Sequence, residues 1–237
     1  MKTILDLSKK ISLGAVAFVT TLLISSYSHS EVYFGVDAVM SKMTFKKDYG
    51  ESIFSKRWAP GGNFFVGAMF HKNFGMELGY EIEQKMKRTA TVNAGNYTAG
   101  IIVPTALPWA MYNTTAGQSH SYLGILAKAN VFDSTFVGLM IGASLSKVNA
   151  KYHLFKTSLG PDNVPKTFTK TKSVGLIKGM LEHKIHNQVG VRALAIWKNM
   201  SKFKVKPKEA PSNAGENPIE IRLKDTFNFG IGVTYYI

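Results

Sequence analysis

From Ile219 to Ile237 the chain alternates almost without a break. Ile219, Ile221, Leu223, Phe227, Phe229, Ile231, Val233, Tyr235 and Ile237 fall on one side, and Glu220, Arg222, Lys224, Thr226, Asn228, Gly230, Gly232, Thr234 and Tyr236 on the other. Only Asp225 interrupts the apolar side. A period of two over this length predicts a β-strand, and one much longer than the usual 5 to 6 residues. The polar side mixes charges with glycines, which leave room in a crowded interior. An apolar exterior around a polar interior is the pattern of a membrane barrel, inverted relative to a soluble one.

Seven further segments share the pattern. The first turns Val32, Phe34, Val36, Ala38 and Met40 outward, and the second Phe64, Val66, Ala68 and Phe70. The third sets Phe74, Met76, Leu78, Tyr80 and Ile82 against Gly75, Glu77, Gly79, Glu81 and Glu83. The fourth carries Leu123, Ile125, Ala127, Ala129 and Val131 outward, with Gly124, Lys128 and Asn130 inward. The fifth has Val137, Leu139, Ile141 and Ala143 outward; the sixth, 173–182, is glycine-rich; the seventh runs from Val189 to Trp197 with Arg192 inside. Tight turns follow strands two, four and six, near His71, Asp133 and His186, while 46–60, 88–117, 151–170 and 201–218 are long and polar or rich in Pro and Gly. Short turns at one end and long loops at the other are the connection pattern of outer-membrane barrels. The expected fold is therefore an all-β, eight-stranded antiparallel transmembrane up-and-down β-barrel. Its soluble rival, a lipocalin-like barrel, requires an apolar interior, which Glu77, Lys128 and Arg192 oppose.

The front of the chain agrees with export. Lys2, Lys9 and Lys10 precede an apolar stretch, 11–25, and Ser28-His29-Ser30 supplies small residues before a cleavage point. This predicts a signal peptide over 1–30 and a barrel domain over 31–237. The apolar run is shorter than the roughly 20 residues of a spanning helix. Loss of three lysines and Asp6 with the leader takes the net charge from +14 to +12. In an exported protein that charge favours anionic lipid headgroups over nucleic acid as a partner. The chain has no cysteine, which excludes disulfides, thiolate metal sites, a cysteine nucleophile and a lipoprotein-type acylated terminus.

An eight-stranded barrel is just wide enough to be filled by side chains. The alternation sends Asp37, Glu77, Glu81, Glu83, Lys85, Lys128, Lys178, Glu182, Arg192, Arg222 and Lys224 inward, so a plugging network of ion pairs is expected, because unpaired charges there would cost several kcal/mol. The stretch Gly67-Ala-Met-Phe-His-Lys-Asn-Phe-Gly-Met-Glu-Leu-Gly-Tyr80 resembles the second hairpin of the OmpA-like and opacity-type small outer-membrane barrels. The end, Gly232-Val-Thr-Tyr235-Tyr-Ile237, is similar to their terminal assembly signal, with Gly232, Tyr235 and Ile237 at its positions. It departs at Ile231, where a polar residue is usual, and at Ile237, which stands for the usual phenylalanine. The resemblance implies outer-membrane localisation, contact with the outer-membrane assembly machinery and an internal carboxylate–Arg/Lys cluster on the strand of Glu77; with nothing after strand eight, a peptidoglycan-binding domain is not expected.

Ser119-His120-Ser121 superficially resembles the His-x-Ser pattern of lipid A deacylases, but serine is adjacent rather than two residues on and no carboxylate lies at a supporting distance on that strand. The expectation is therefore no enzyme, no catalytic residue and no cofactor, with His120 hydrogen-bonding at a loop edge. No metal site is expected either, since His183 and His186 lack further ligands. Loops carry function on rigid scaffolds. The expected binding residues are Trp109 and Tyr112 of the apolar second loop and Lys202, Lys204, Lys206 and Lys208 before the fourth. The sequence thus points to a monomeric surface barrel, structural or adhesive, whose partners are outer-membrane lipids, lipopolysaccharide and a host or environmental ligand. A channel for small solutes or hydrophobic compounds, or a lipid A-modifying enzyme, is the alternative.

Overall fold

The computed structural model describes residues 31–44, 58–93, 97–98, 101–102, 109–157, 166–201, 204–205 and 221–237. Residues 1–30, where a leader is expected, lie outside the described residues. The strands are β1 (Glu31–Lys42), β2 (Trp58–His71), β3 (Phe74–Glu83), β4 (Met86–Asn93), β5 (Tyr97–Thr98), β6 (Ile101–Ile102), β7 (Trp109–Phe132), β8 (Thr135–Thr157), β9 (Lys166–His186), β10 (Val189–Lys198), β11 (Lys204–Val205), β12 (Ile221–Arg222) and β13 (Thr226–Tyr236).

Eight of them, β1, β2, β3, β7, β8, β9, β10 and β13, form a closed antiparallel ring: each pairs with the next in chain order, and β13 pairs back onto β1. Closure removes sheet edges, which a bilayer does not tolerate. Tight turns at Lys72–Asn73, Asp133–Ser134 and Asn187–Gln188 join three of the hairpins, as expected from the chain's punctuation.

The outer surface is an apolar belt. Phe64, Ile125, Ile141, Leu139, Leu181, Val191, Phe229 and Ile231 are all exposed, Ile141 by 62% and Ile231 by 71%. Soluble monomers rarely expose apolar patches beyond a few hundred Å², whereas in a bilayer such a belt is solvated by acyl chains. No helix of the described residues is long and apolar enough to cross a membrane; the chain crosses with strands.

The interior corrects the sequence reading in three ways. It is not polar throughout: Phe65, Met69, Leu126, Met140, Leu176, Met180, Leu194 and Ile196 form an apolar cluster with Tyr33, Tyr122 and Tyr236. The alternation alone does not distinguish lumen from lipid for these residues, because both sides of β7–β10 carry apolar side chains. Second, three of the walls are far longer than the expected segments. β7, β8 and β9 span 24, 23 and 21 residues, where about 9–11 suffice to cross. Much of what reads as loop in 88–117 and 151–170 is strand, with Ser119 pairing to Lys147 and Lys147 to Thr171; β4 adds to the same wall along β7. On these extensions the outward positions, such as Asn113, Lys147 and Lys151, are polar and exposed while the inward Thr114, Ala116, Gln118, Val148 and Ala150 are buried, so they lack the outward apolar stripe that marks a strand inside the bilayer. Third, the terminal strand is interrupted at Lys224–Asp225, and the facing inverts there: Leu223 is fully buried and Lys224 exposed, whereas Thr226 and Asn228 point inward. Asp225 accepts a hydrogen bond from the Ser201 backbone N–H at 2.8 Å, so the residue that breaks the alternation anchors the kink.

Candidate functional site: an ion-paired lumen

The lumen is built from tyrosine–glycine pairs across neighbouring strands. Tyr33 lies in register with Gly67, and Tyr122 with Gly79. A Cβ at Gly67 would fall 2.2 Å from Tyr33 Cζ, and one at Gly79 would fall 2.3 Å from Tyr122 Cζ and Oη. Only glycine lets the rings lie against the wall and direct their hydroxyls toward the barrel axis. Glu77 itself stands between Gly67 and Gly124 on its two neighbouring strands, which leaves space around its carboxylate.

That carboxylate is the hub of the central tier. Glu77 Oε1 accepts from Lys178 Nζ at 2.5 Å and from Tyr122 Oη at 2.9 Å, while Oε2 accepts from Arg192 Nη1 at 3.0 Å. Arg192 also grips Asp37 in a fork, Nε to Oδ1 and Nη2 to Oδ2, both 2.7 Å. Asn63 Nδ2 donates to Asp37 Oδ2 at 2.6 Å and to Tyr122 Oη at 3.0 Å. The Arg192 guanidinium lies 3.3 Å from the Phe65 ring centroid, so both its edge and its face are used. The Asp37–Arg192 pair crosses β13 at Gly232, the cross-strand partner of both residues, where a Cβ would fall 2.1 Å from Asp37 Oδ1.

Nearer the tight turns, Lys128 Nζ meets Glu182 Oε2 at 2.9 Å and Tyr236 Oη at 2.7 Å, and Tyr236 Oη donates to Glu182 Oε1. Toward the long strands, Lys198 Nζ pairs with Glu81 Oε1 at 2.8 Å, and Asn228 donates to the same oxygen. Gln118 donates to Glu83 at 2.8 Å. His120 Nδ1 lies 2.7 Å from Ser146 Oγ, and its Nε2 is 3.5 Å from Glu83 Oε1.

The structure thus brings together Asp37, Glu77, Glu81, Lys128, Lys178, Glu182 and Arg192, all buried. It does not place Lys85, Arg222 or Lys224 among them. Lys85 is exposed between β3 and β4. Lys224 is exposed, and Arg222 lies in β12 in register with Lys204 of β11, both on the far side of the inversion at Asp225. Lys198, fully buried, is the cation that takes their place; its signal was available, since it follows the outward Trp197 by one residue. His120 is fully buried in the wall, not at a loop edge, because β7 continues well past it. Among the loop candidates, Trp109 and Tyr112 begin β7, in register with Asn93 and Ala90 of β4. Lys204 is exposed in β11, and Lys202, Lys206 and Lys208 lie outside the described residues. Of the assembly-signal residues, Tyr235 and Ile237 face outward.

A closed ring of eight antiparallel strands, apolar outside and ion-paired inside, defines a small outer-membrane β-barrel. Solved structures agree at the level of fold. A major outer membrane protein from Thermus thermophilus superposes with a TM-score of 0.54 at 11% identity, covering 88% of this chain and 100% of that one. The outer membrane protein OprG from Pseudomonas aeruginosa superposes at 0.50 and 10% identity, covering 88% and 95%. No protein-family model matches the sequence, and no curated protein does.

Proposed function

We propose that the protein is a non-catalytic outer-membrane surface barrel whose extended extracellular end binds the phosphate groups of lipopolysaccharide. The observation that carries this reading is the charge at that end. Lys87, Arg88, Lys147, Lys151, Lys170, Lys172, Lys204 and Lys224 are all exposed on the long-strand side, where the half-buried Asp225 is the sole carboxylate outside the lumen among the described residues. The tight turns and the described ends of the barrel lie opposite, so in the usual orientation of these folds the basic rim meets the outer leaflet. Cations held on rigid strands attract phosphates there over roughly a Debye length. The filled lumen supports a role for the outer surface rather than for a conduit.

Binding of the purified barrel to lipopolysaccharide, followed by co-migration in detergent, tests this. Replacing Lys147, Lys151, Lys170 and Lys172 with glutamate should weaken binding about tenfold or more and flatten its salt dependence. Unchanged binding in that variant would refute the proposal. Lipid A from cells expressing the protein should keep its mass, and a shifted mass would mean an enzyme.

A further inference from the structure

The buried charges of the lumen do not balance evenly along its axis. In the central and turn-side tiers Asp37, Glu77 and Glu182 are matched by Lys128, Lys178 and Arg192. At the long-strand end Glu81 and Glu83 share one buried cation, Lys198. One carboxylate charge there has no buried cation to match it, and burying such a charge is costly.

Five of the nine unpartnered buried side-chain polar atoms among the described residues lie at the same place. Glu81 Oε2, Glu83 Oε2, Gln118 Oε1, Asn228 Oδ1 and His120 Nε2 have no hydrogen-bond partner, on side chains that are at most 5% exposed. All five can act as acceptors, and acceptors facing one another repel unless a proton, a water or a cation lies between them. One ligand atom from each of Glu81, Glu83 and His120 lies within 4.8 Å of the others. Ligands around a metal with bonds of about 2.0–2.2 Å sit roughly 3.4 Å apart, so modest side-chain movement would close the set. Ser146 Oγ lies 2.7 Å from His120 Nδ1, with Ser144 Oγ 3.3 Å beyond. The tautomer in which Nδ1–H donates to Ser146 Oγ directs the Nε2 lone pair toward Glu83, the arrangement usual for metal-bound imidazoles.

We infer that Glu81, Glu83 and His120 form a binding site for one divalent transition-metal ion in the extracellular end of the lumen. An imidazole with two carboxylates suits Zn²⁺, Mn²⁺ or Fe²⁺ better than the all-oxygen preference of Ca²⁺ or Mg²⁺. Gln118 and Asn228 offer amide oxygens to complete the coordination. Lys198, held on Glu81 Oε1, leaves Oε2 for the metal and limits the site's net charge to that of one carboxylate.

The test is Co²⁺ titration of the folded, metal-stripped barrel in detergent, read by visible absorption, with Zn²⁺ competition and metal content by mass spectrometry. The expected result is one Co²⁺ per barrel, displaced by Zn²⁺. Affinity should fall at least about tenfold in both His120→Ala and Glu83→Gln, and stay unchanged when the turn-side His71, His183 and His186 are replaced together by alanine. Glu83→Gln keeps the side-chain volume, so it decides the matter if His120→Ala fails to fold. Absence of stoichiometric binding by the parent would overturn the inference, assigning the gap to a shared proton or to water. So would binding that survives Glu83→Gln, or binding lost in the triple histidine variant.

Discussion

Glu77→Ala is the sharpest perturbation of the plug. Glu77 is fully buried and joins two cations that come from strands far away in sequence, Lys178 at 2.5 Å and Arg192 at 3.0 Å. Its removal leaves Arg192 still forked on Asp37. Lys178, with no exposed surface, keeps only the Tyr122 hydroxyl at 3.3 Å and weak contact with the Phe65 and Tyr122 rings. Breaking a buried ion pair from one side costs about 3–5 kcal/mol, and the figure should fall in the upper half of that range because the Tyr122 hydroxyl also loses its acceptor. Glu77→Gln should cost less, since the amide oxygen still accepts hydrogen bonds. The double change Glu77→Leu with Lys178→Met should recover most of the loss, because an apolar pair of similar volume replaces a buried ion pair with little penalty. Urea unfolding in detergent, followed by the heat-modifiable shift in gel migration, gives the midpoints, and planar-bilayer recording of Glu77→Ala should show raised conductance. A Glu77→Ala barrel as stable and as silent as the parent would refute the network. A double variant no better than the single would show that charge is not the reason for the loss.

Three further outcomes are expected. Gly79→Val should destabilise the barrel by about 1–3 kcal/mol, because the new Cβ occupies the place of the Tyr122 ring; Gly62→Ala, where the nearest atom is 4.0 Å away, serves as the tolerant control in the same urea series. Removal of Tyr235-Tyr-Ile237 should leave the chain unassembled in the periplasm, since it deletes the Tyr236 hydroxyl between Lys128 and Glu182 together with the end of β13; persistence of the heat-modifiable form would show those residues dispensable. Replacing 94–108 by an Asn-Gly turn should preserve folding, as Asn93 and Trp109 already pair, while reducing capture of any ligand held by that loop; a surface pull-down with intact protein compares the two.

Much of this architecture is legible in the sequence. The alternation of Phe74–Glu83 and of the terminal strand predicts which side meets lipid, and the short turns predict the up-and-down order. Partnership across the barrel is not legible. Glu77 and Lys178 are separated by 101 residues, and which inward acid meets which base depends on stagger and closure rather than on local pattern. The projecting ends of β7, β8 and β9 escape for another reason: Thr, Ser, Asn and Lys serve the water-facing side of a strand as well as they serve a loop. The inversion at Asp225 did leave a trace, as the one charged residue on the apolar side, but a single break does not by itself say whether the facing changes or continues. The cluster at Glu81, Glu83 and His120 is half visible, since the two acids are neighbours on one face of β3, while the histidine reaches them only through the pairing of Glu81 with His120 across β3 and β7.

Ion pairs and apolar side chains together close the lumen. Single-channel recording of the unmodified barrel in planar bilayers tests it most directly. A plugged lumen should give a silent bilayer across a range of voltages after verified insertion of the folded protein; a steady, reproducible open-state current from that protein would mean the lumen is open.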